Sequence, residues 1–240
     1  RHHYGEPYGR PSQGTERGLE AISLDDVQRF YRQSYVPNSS ILSVAGKIDW
    51  PKLRDEIGEM FGDWRQVPLE IPAASPPPRG GSYLQHESSQ THIGVAFDSI
   101  PYSHPAYYDM RAAVGVLSDG MSSRLFTEVR EKRGLCYSVY AYCHSLRDRG
   151  SVLCYAGTTT ERAQQTLDVM LAELRLLREG VAQEELDRLK SKLKSSLIMQ
   201  QESSPARSGS MASEWFHLGH VQTMEELGGI VDNLNIPAIN

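Results

Sequence analysis

Arg130 and Tyr137 stand with six residues between them, in Arg130-Glu-Lys-Arg-Gly134-Leu-Cys-Tyr137. A guanidinium keeps its charge and presents its donors as a rigid fork. A phenol donates one O–H. Brought together, these two groups suit a bound peptide carbonyl, or an oxyanion developing on it. The same stretch is also consistent with an ordinary helix-to-strand turn whose charges are solvated, since exposed charges need no partner. Spacing alone leaves both possibilities open.

The elements that would position the pair follow from the residues around it. Ser122 or Ser123 can cap a helix by accepting a first-turn amide. Leu125, Phe126 and Val129 give that helix one apolar face. Arg130, Lys132 and Arg133 crowd its last turn, where cations suit the dipole. Gly134 permits a left-handed exit, and Leu135 to Tyr142 continues as an aromatic and β-branched strand. Arg130 and Tyr137 then flank one sharp corner, from which both can project into the same space.

Other chemistry is poorly encoded. His217 and His220 are three apart, but no glutamate lies between them, so this is not an HExxH site. Their alternatives are zinc ligation or a packing and surface role. His2, His3 and Glu6 lie in a loop-like start without a clear further ligand, and His86, His92, His104 and His144 are isolated, so no zinc site is expected in this chain. No GxSxG elbow, Walker A loop or GxGxxG is present. Cys136, Cys143 and Cys154 form no CxxC and read as reduced, packed thiols.

The chain has 240 residues and a formal net charge of −5. Mild acidity argues against nucleic acid and anionic membrane as partners. No apolar run approaches the roughly 20 residues a bilayer span needs, so the composition is that of a soluble globular chain. There is no initiator Met and no signal-like opening, and Arg1 is taken as an internal or processed start. The compartment stays open.

Residues 1–20 read as an extended loop. Ser23-Leu-Asp-Asp26 resembles a capping box that opens a helix carrying Val27, Phe30, Tyr31 and Tyr35. Ile41 to Ala45 is expected as a short strand and Trp50 to Phe61 as a helix. The Pro- and Gly-rich run over 67–81 reads as a linker. One strand and two helices cannot bury a core of their own. Residues 1–66 therefore either pack on the second part or, the expected case, are the C-terminal part of a first domain; 82–240 are expected to be a second domain, trimmed at its end. In the second, Ser82 to His86, Thr91 to Phe97 and Ser151 to Ala156 are expected strands, the last pairing antiparallel with 137–144. Helices are expected at 107–117, 163–177, 186–197 with Lys190 and Lys194 exposed, 206–218 and 224–231. This is an α+β layout, with helices on one face of a mostly antiparallel sheet.

The run Asp119-Gly-Met-Ser-Ser-Arg-Leu-Phe-Thr-Glu-Val-Arg130-Glu-Lys-Arg-Gly-Leu-Cys-Tyr137-Ser-Val-Tyr closely resembles a signature of the pitrilysin/insulinase family of zinc peptidases, in its processing-peptidase branch. Tyr8-Gly-Arg-Pro with Gly14-Thr15, Tyr35-Val-Pro-Asn, Ser43-Val-Ala-Gly46, Gln90-Thr-His-Ile93, Tyr155-Ala-Gly157-Thr158 and Glu184-Glu-Leu186 extend the likeness nearly end to end. The resemblance implies similar domains paired around a peptide chamber. It also implies an Arg/Tyr pair that contacts substrate and stabilises the tetrahedral intermediate, roles that fall on Arg130 and Tyr137. The family's HxxEH motif is absent. Ser118-Asp119 stands where glycines are common, and Ala182 where a capping Ser or Thr is usual. The resemblance therefore implies the substrate-side portion of a zinc endopeptidase, inactive alone, with zinc held in a parent protein or partner subunit. Its alternative is a non-catalytic scaffold or partner subunit of the same family.

Overall fold

The computed structural model describes residues 3–68, 75–76 and 79–240. The chain divides into two compact units, Arg1–Gln85 and His86–Asn240. The linker expected over 67–81 falls largely outside the described residues.

Among its described residues the first unit holds three α-helices, α1 (Glu16–Ala21), α2 (Leu24–Ser34) and α3 (Trp50–Phe61). The first corrects the expected loop over residues 1–20: Thr15 accepts the Gly18 amide and so starts a helix there. Helix α2 opens on the expected box, in which Ser23 Oγ accepts the Asp26 amide while the Asp26 carboxylate accepts the Ser23 amide. Asp49 caps α3 by accepting the Lys52 amide. The strand expected at Ile41 to Ala45 does not form, because an extended segment becomes a strand only when another takes up its amides and carbonyls. The same correction applies at Ser82 to His86.

The second unit is built on β1 (Thr91–Ser99), β2 (Cys136–Ser145) and β3 (Gly150–Thr158), an antiparallel sheet in the order β1-β3-β2. Helices α4 (Tyr107–Ser118) and α5 (Ala163–Leu176) pack on one face. Between them and the sheet lie Val114, Leu117, Leu125, Val129, Val152, Cys154, Ala156 and Met170, all buried. Ile93 and Val95 of β1, and Val139, Ala141 and Cys143 of β2, point into the same core. Ser118 sits at the end of α4, and its Oγ accepts the amide of Ala141, capping part of the β2 edge.

Helices α6 (Gln183–Glu202), α7 (Ser204–Leu218), α8 (Met224–Asn233) and α9 (Ile236–Ile239) complete the unit. Leu186 and Leu189 of α6 pack with Ala112 and Val116 of α4 and with Leu234. Pro205 lies in the first turn of α7, whose cap Ser203 accepts the Ala206 amide. Lys190 is half-buried rather than exposed, because its ammonium donates to the Asp232 carbonyl at the end of α8. Among the described residues, no helix is long and apolar enough to cross a membrane.

Candidate functional site

The stretch before Arg130 is helical but wider than an α-helix. Phe126–Glu131 forms a π-helix, with the Lys132 amide donating to the Thr127 carbonyl at 2.9 Å. Such turns are rare and often lie at functional sites. The serine cap expected here is not made. Ser123 instead donates its hydroxyl to the Gly120 carbonyl at 2.7 Å, because the residue is buried and the turn brings that acceptor to it. Leu125 and Val129 are fully buried, whereas Phe126, expected beside them, turns partly outward.

The helix closes on Gly134, at φ 57°. The Gly134 amide reaches the Arg130 carbonyl, and the Leu135 amide reaches Val129, both at 3.0 Å. Each bond spans one residue more than in the usual glycine-capped closure, in keeping with the wider helix. Three cations share this last turn, and two of them are paired with one carboxylate. Lys132 and Arg133 each donate to the Glu128 carboxylate at 2.6 Å. Those hydrogen bonds, first from Lys132 and then from Arg133, hold the Glu128 carboxyl below its ordinary value. Among the described residues Arg130 has no ion pair, and it lies exposed.

Tyr137 reaches the same place through an irregular register. Cys136 pairs with Thr158 and Ser138 with the adjacent Gly157, so Tyr137 is an extra residue in β2. Such a β-bulge re-aims side chains and reverses the in-out alternation of a strand. Cys136, Val139, Ala141 and Cys143 consequently face the core. Tyr137, Tyr140 and Tyr142 all stand exposed, Tyr137 with 82% of its surface free.

The Arg130 guanidinium lies 5.1 Å from the centre of the Tyr137 ring and 4.8 Å from that of Phe126. The structure therefore brings the predicted Arg and Tyr together, on a second ring that sequence reasoning had assigned to the core. At exposed sites such contacts contribute only about 0.5–1 kcal/mol each. Fold stability therefore does not account for the arrangement. A guanidinium beside an exposed phenol can donate, together with it, to one acceptor.

Beyond Tyr137, Tyr140 packs 5.1 Å from Tyr155, which packs 5.9 Å from His92. The Tyr155 hydroxyl and His92 Nδ1 are 2.6 Å apart. His92, isolated in sequence, thus belongs to an aromatic row on the open sheet face. The tyrosine spacing at 137, 140 and 142 breaks strict alternation and is the sequence signal of the bulge.

The alternatives fare worse. His217 is stacked 5.0 Å from Tyr102, its Nδ1 is buried without a hydrogen-bond partner, and burial holds its pKa down. His220 is exposed. No group of three metal-ligating side chains exists among the described residues, so zinc, as a resident metal, does not fit them. Burial raises the Cys136 thiol above its ordinary value despite the nearby Arg130, and pushes Cys143 and Cys154 up to about 11, which leaves these thiols unreactive.

Comparisons with known proteins agree with this architecture. The family model described as "Peptidase M16 inactive domain" matches residues 21–193. The chain is 30% identical over 236 residues to an uncharacterized zinc protease, YmxG, of Bacillus subtilis, covering 97% of this chain and 57% of that protein. It thus spans little more than half the length of that relative. Among solved structures, a peptidase M16 inactive domain from Pseudomonas fluorescens superposes with a TM-score of 0.88 at 23% identity, over 99% of this chain and 58% of that one. A chain of complex III2 from Candida albicans superposes with a TM-score of 0.76 at 21% identity, over 98% of this chain and 59% of that one.

Proposed function

Because the chain belongs to the peptidase M16 inactive-domain family, we propose that it forms the substrate-side portion of a zinc-dependent endopeptidase, with Arg130 and Tyr137 as its working residues. In this proposal residues 1–66 close a first peptidase-family domain and 82–240 form the second. The zinc-bearing half lies in the parent protein or in a partner subunit of the same family. The observation that carries the proposal is the stacked, exposed Arg130/Tyr137 pair, set on the open face by a bulge.

Its chemistry follows from donor types. The guanidinium and the phenol O–H donate to the oxygen of a bound peptide carbonyl. As that carbon becomes tetrahedral the oxygen gains charge, and donors already in place interact with it more strongly than with the ground state. Losing one such donor costs about 3 kcal/mol of transition-state stabilisation, on the order of a hundredfold in rate. The test is turnover of a peptide by the complete enzyme carrying Arg130→Ala or Tyr137→Phe. Near-wild-type rates would refute the proposal.

A second reading is a non-catalytic partner subunit that holds peptide or stabilises an assembly. It is favoured by the family description, "inactive domain", and by the occurrence of the same fold in a complex III2 chain. Zinc content and turnover of the complete protein, alone and with a zinc-bearing relative, separate the two.

A further inference from the structure

The Arg130/Tyr137 pair depends on the two residues at the apex of its corner, Gly134 and Leu135. Both amides of this apex are taken by the π-helix, at the Arg130 and Val129 carbonyls. Both carbonyls are taken from the opposite side. Arg162 Nη1 donates to the Gly134 oxygen at 2.6 Å. Thr158 Oγ1 donates to the Leu135 oxygen, also at 2.6 Å, in a buried bond. Thr158 is backed by Thr166, fully buried, whose single hydroxyl proton is shared between Thr158 Oγ1 at 3.2 Å and the Arg162 carbonyl at 2.8 Å. Thr158 is also the β3 residue that pairs with Cys136, the last regular position before the bulge.

We infer that Thr158 and Arg162 are positioning residues, a two-point carbonyl clamp that fixes the corner and so sets Tyr137 against Arg130. This rests on the proposed role of the pair. Four backbone groups are fixed in two consecutive residues, so the peptide planes on either side of Leu135 cannot rotate without breaking a bond. Arg130 lies four residues before the apex glycine and Tyr137 two after Leu135, so a tilt of either plane separates the side chains. Thr158→Val keeps the shape of the side chain but leaves the Leu135 oxygen without its donor, whereas Thr158→Ser restores it.

The test uses NMR on the 240-residue chain, followed by kinetics on the complete peptidase. In the wild-type chain, nuclear Overhauser contacts link the Arg130 side chain to the Tyr137 ring. The Thr158→Val/Arg162→Met variant, which removes both donors, is expected to lose them while the β2–β3 pairs beyond Ser138 persist. Thr158→Ser/Arg162→Lys is expected to keep them. Contacts that survive in the first variant, or vanish equally in both, overturn the clamp. Should Thr158→Val prevent folding, Arg162→Met alone decides, since methionine has no donor for the Gly134 carbonyl: this side chain is exposed, weakened contacts support the clamp, and unchanged contacts overturn it. In the complete peptidase the Thr158→Val/Arg162→Met variant should lower kcat about tenfold to a hundredfold with KM nearly unchanged, and Thr158→Ser/Arg162→Lys should retain it. Lost contacts with unchanged kcat refute the catalytic role of Arg130 and Tyr137 and leave the clamp standing. Persisting contacts refute the clamp whatever the kinetics.

Discussion

Replacing Arg124 by Met should loosen the entry to the π-helix by an amount that can be worked from its bonds. Arg124 Nε and Nη2 donate to the two oxygens of Glu185 at 2.7 Å each, and Nη2 also donates to the Gly180 carbonyl at 2.9 Å. Both side chains are only 18% exposed. Exposed ion pairs contribute about 0–1 kcal/mol. Breaking a deeply buried one costs about 3–5 kcal/mol, because the remaining charge is stranded. At this intermediate burial Arg124→Met should cost about 2–3 kcal/mol. It leaves the carboxylate with the Ala182 amide alone and Gly180 without that donor. Glu185→Gln should cost less, about 1–2 kcal/mol, since the guanidinium keeps the Gly180 carbonyl. The double variant should then show a coupling of about 1–2 kcal/mol at pH 7.

The pH dependence has a definite sign. Hydrogen bonds from Arg124, above all, hold the Glu185 carboxyl below its ordinary value. A carboxyl lowered in the folded state contributes stability above its unfolded pKa, near 4.3. That contribution is lost as pH falls through the lower, folded value. Native-state hydrogen exchange at the Leu125, Val129, Leu186 and Leu189 amides reads the second unit directly, without requiring both units to unfold together. A coupling below about 0.5 kcal/mol at pH 7, or one that grows on acidification, would refute the reasoning.

Two further perturbations test neighbouring features. Glu173 is 8% exposed and its carboxyl is raised, first by burial and then by Glu128. A raised carboxyl favours folding below its unfolded pKa, and that advantage is lost as pH rises through the folded value, so Glu173→Gln should raise Tm more at pH 7 than at pH 4; the reverse order in thermal melts would contradict this. Gly134→Ala meets no atom within 4 Å, so its cost is confined to the left-handed backbone, about 1–2 kcal/mol by chemical denaturation.

Much of the second unit was legible because its signals are local. The helix periods and the β2–β3 pairing need only neighbouring residues. What was not legible depends on partners distant in sequence. Ile41 to Ala45 has strand composition but no described strand beside it. The Ser122/Ser123 cap failed because a buried hydroxyl took a carbonyl from the preceding turn. The Arg130/Tyr137 corner was visible as a spacing, but its geometry was not. The π-helix, Phe126 as a platform and the two carbonyl donors on Thr158 and Arg162 arise only when β3 and α5 pack alongside.

The bulge at Tyr137 makes the site a matter of counting as well as chemistry. Removing Cys136 would let β2 pair regularly and would leave both Arg130 and Tyr137 in the sequence. The strand would nonetheless turn over before Val139, sending the phenol toward the buried cysteines and away from Arg130. A relative could therefore keep both residue types and lose the site through a single deletion. The length of this connection is as informative as the identities at its ends when judging whether such a domain still sets its Arg against its Tyr.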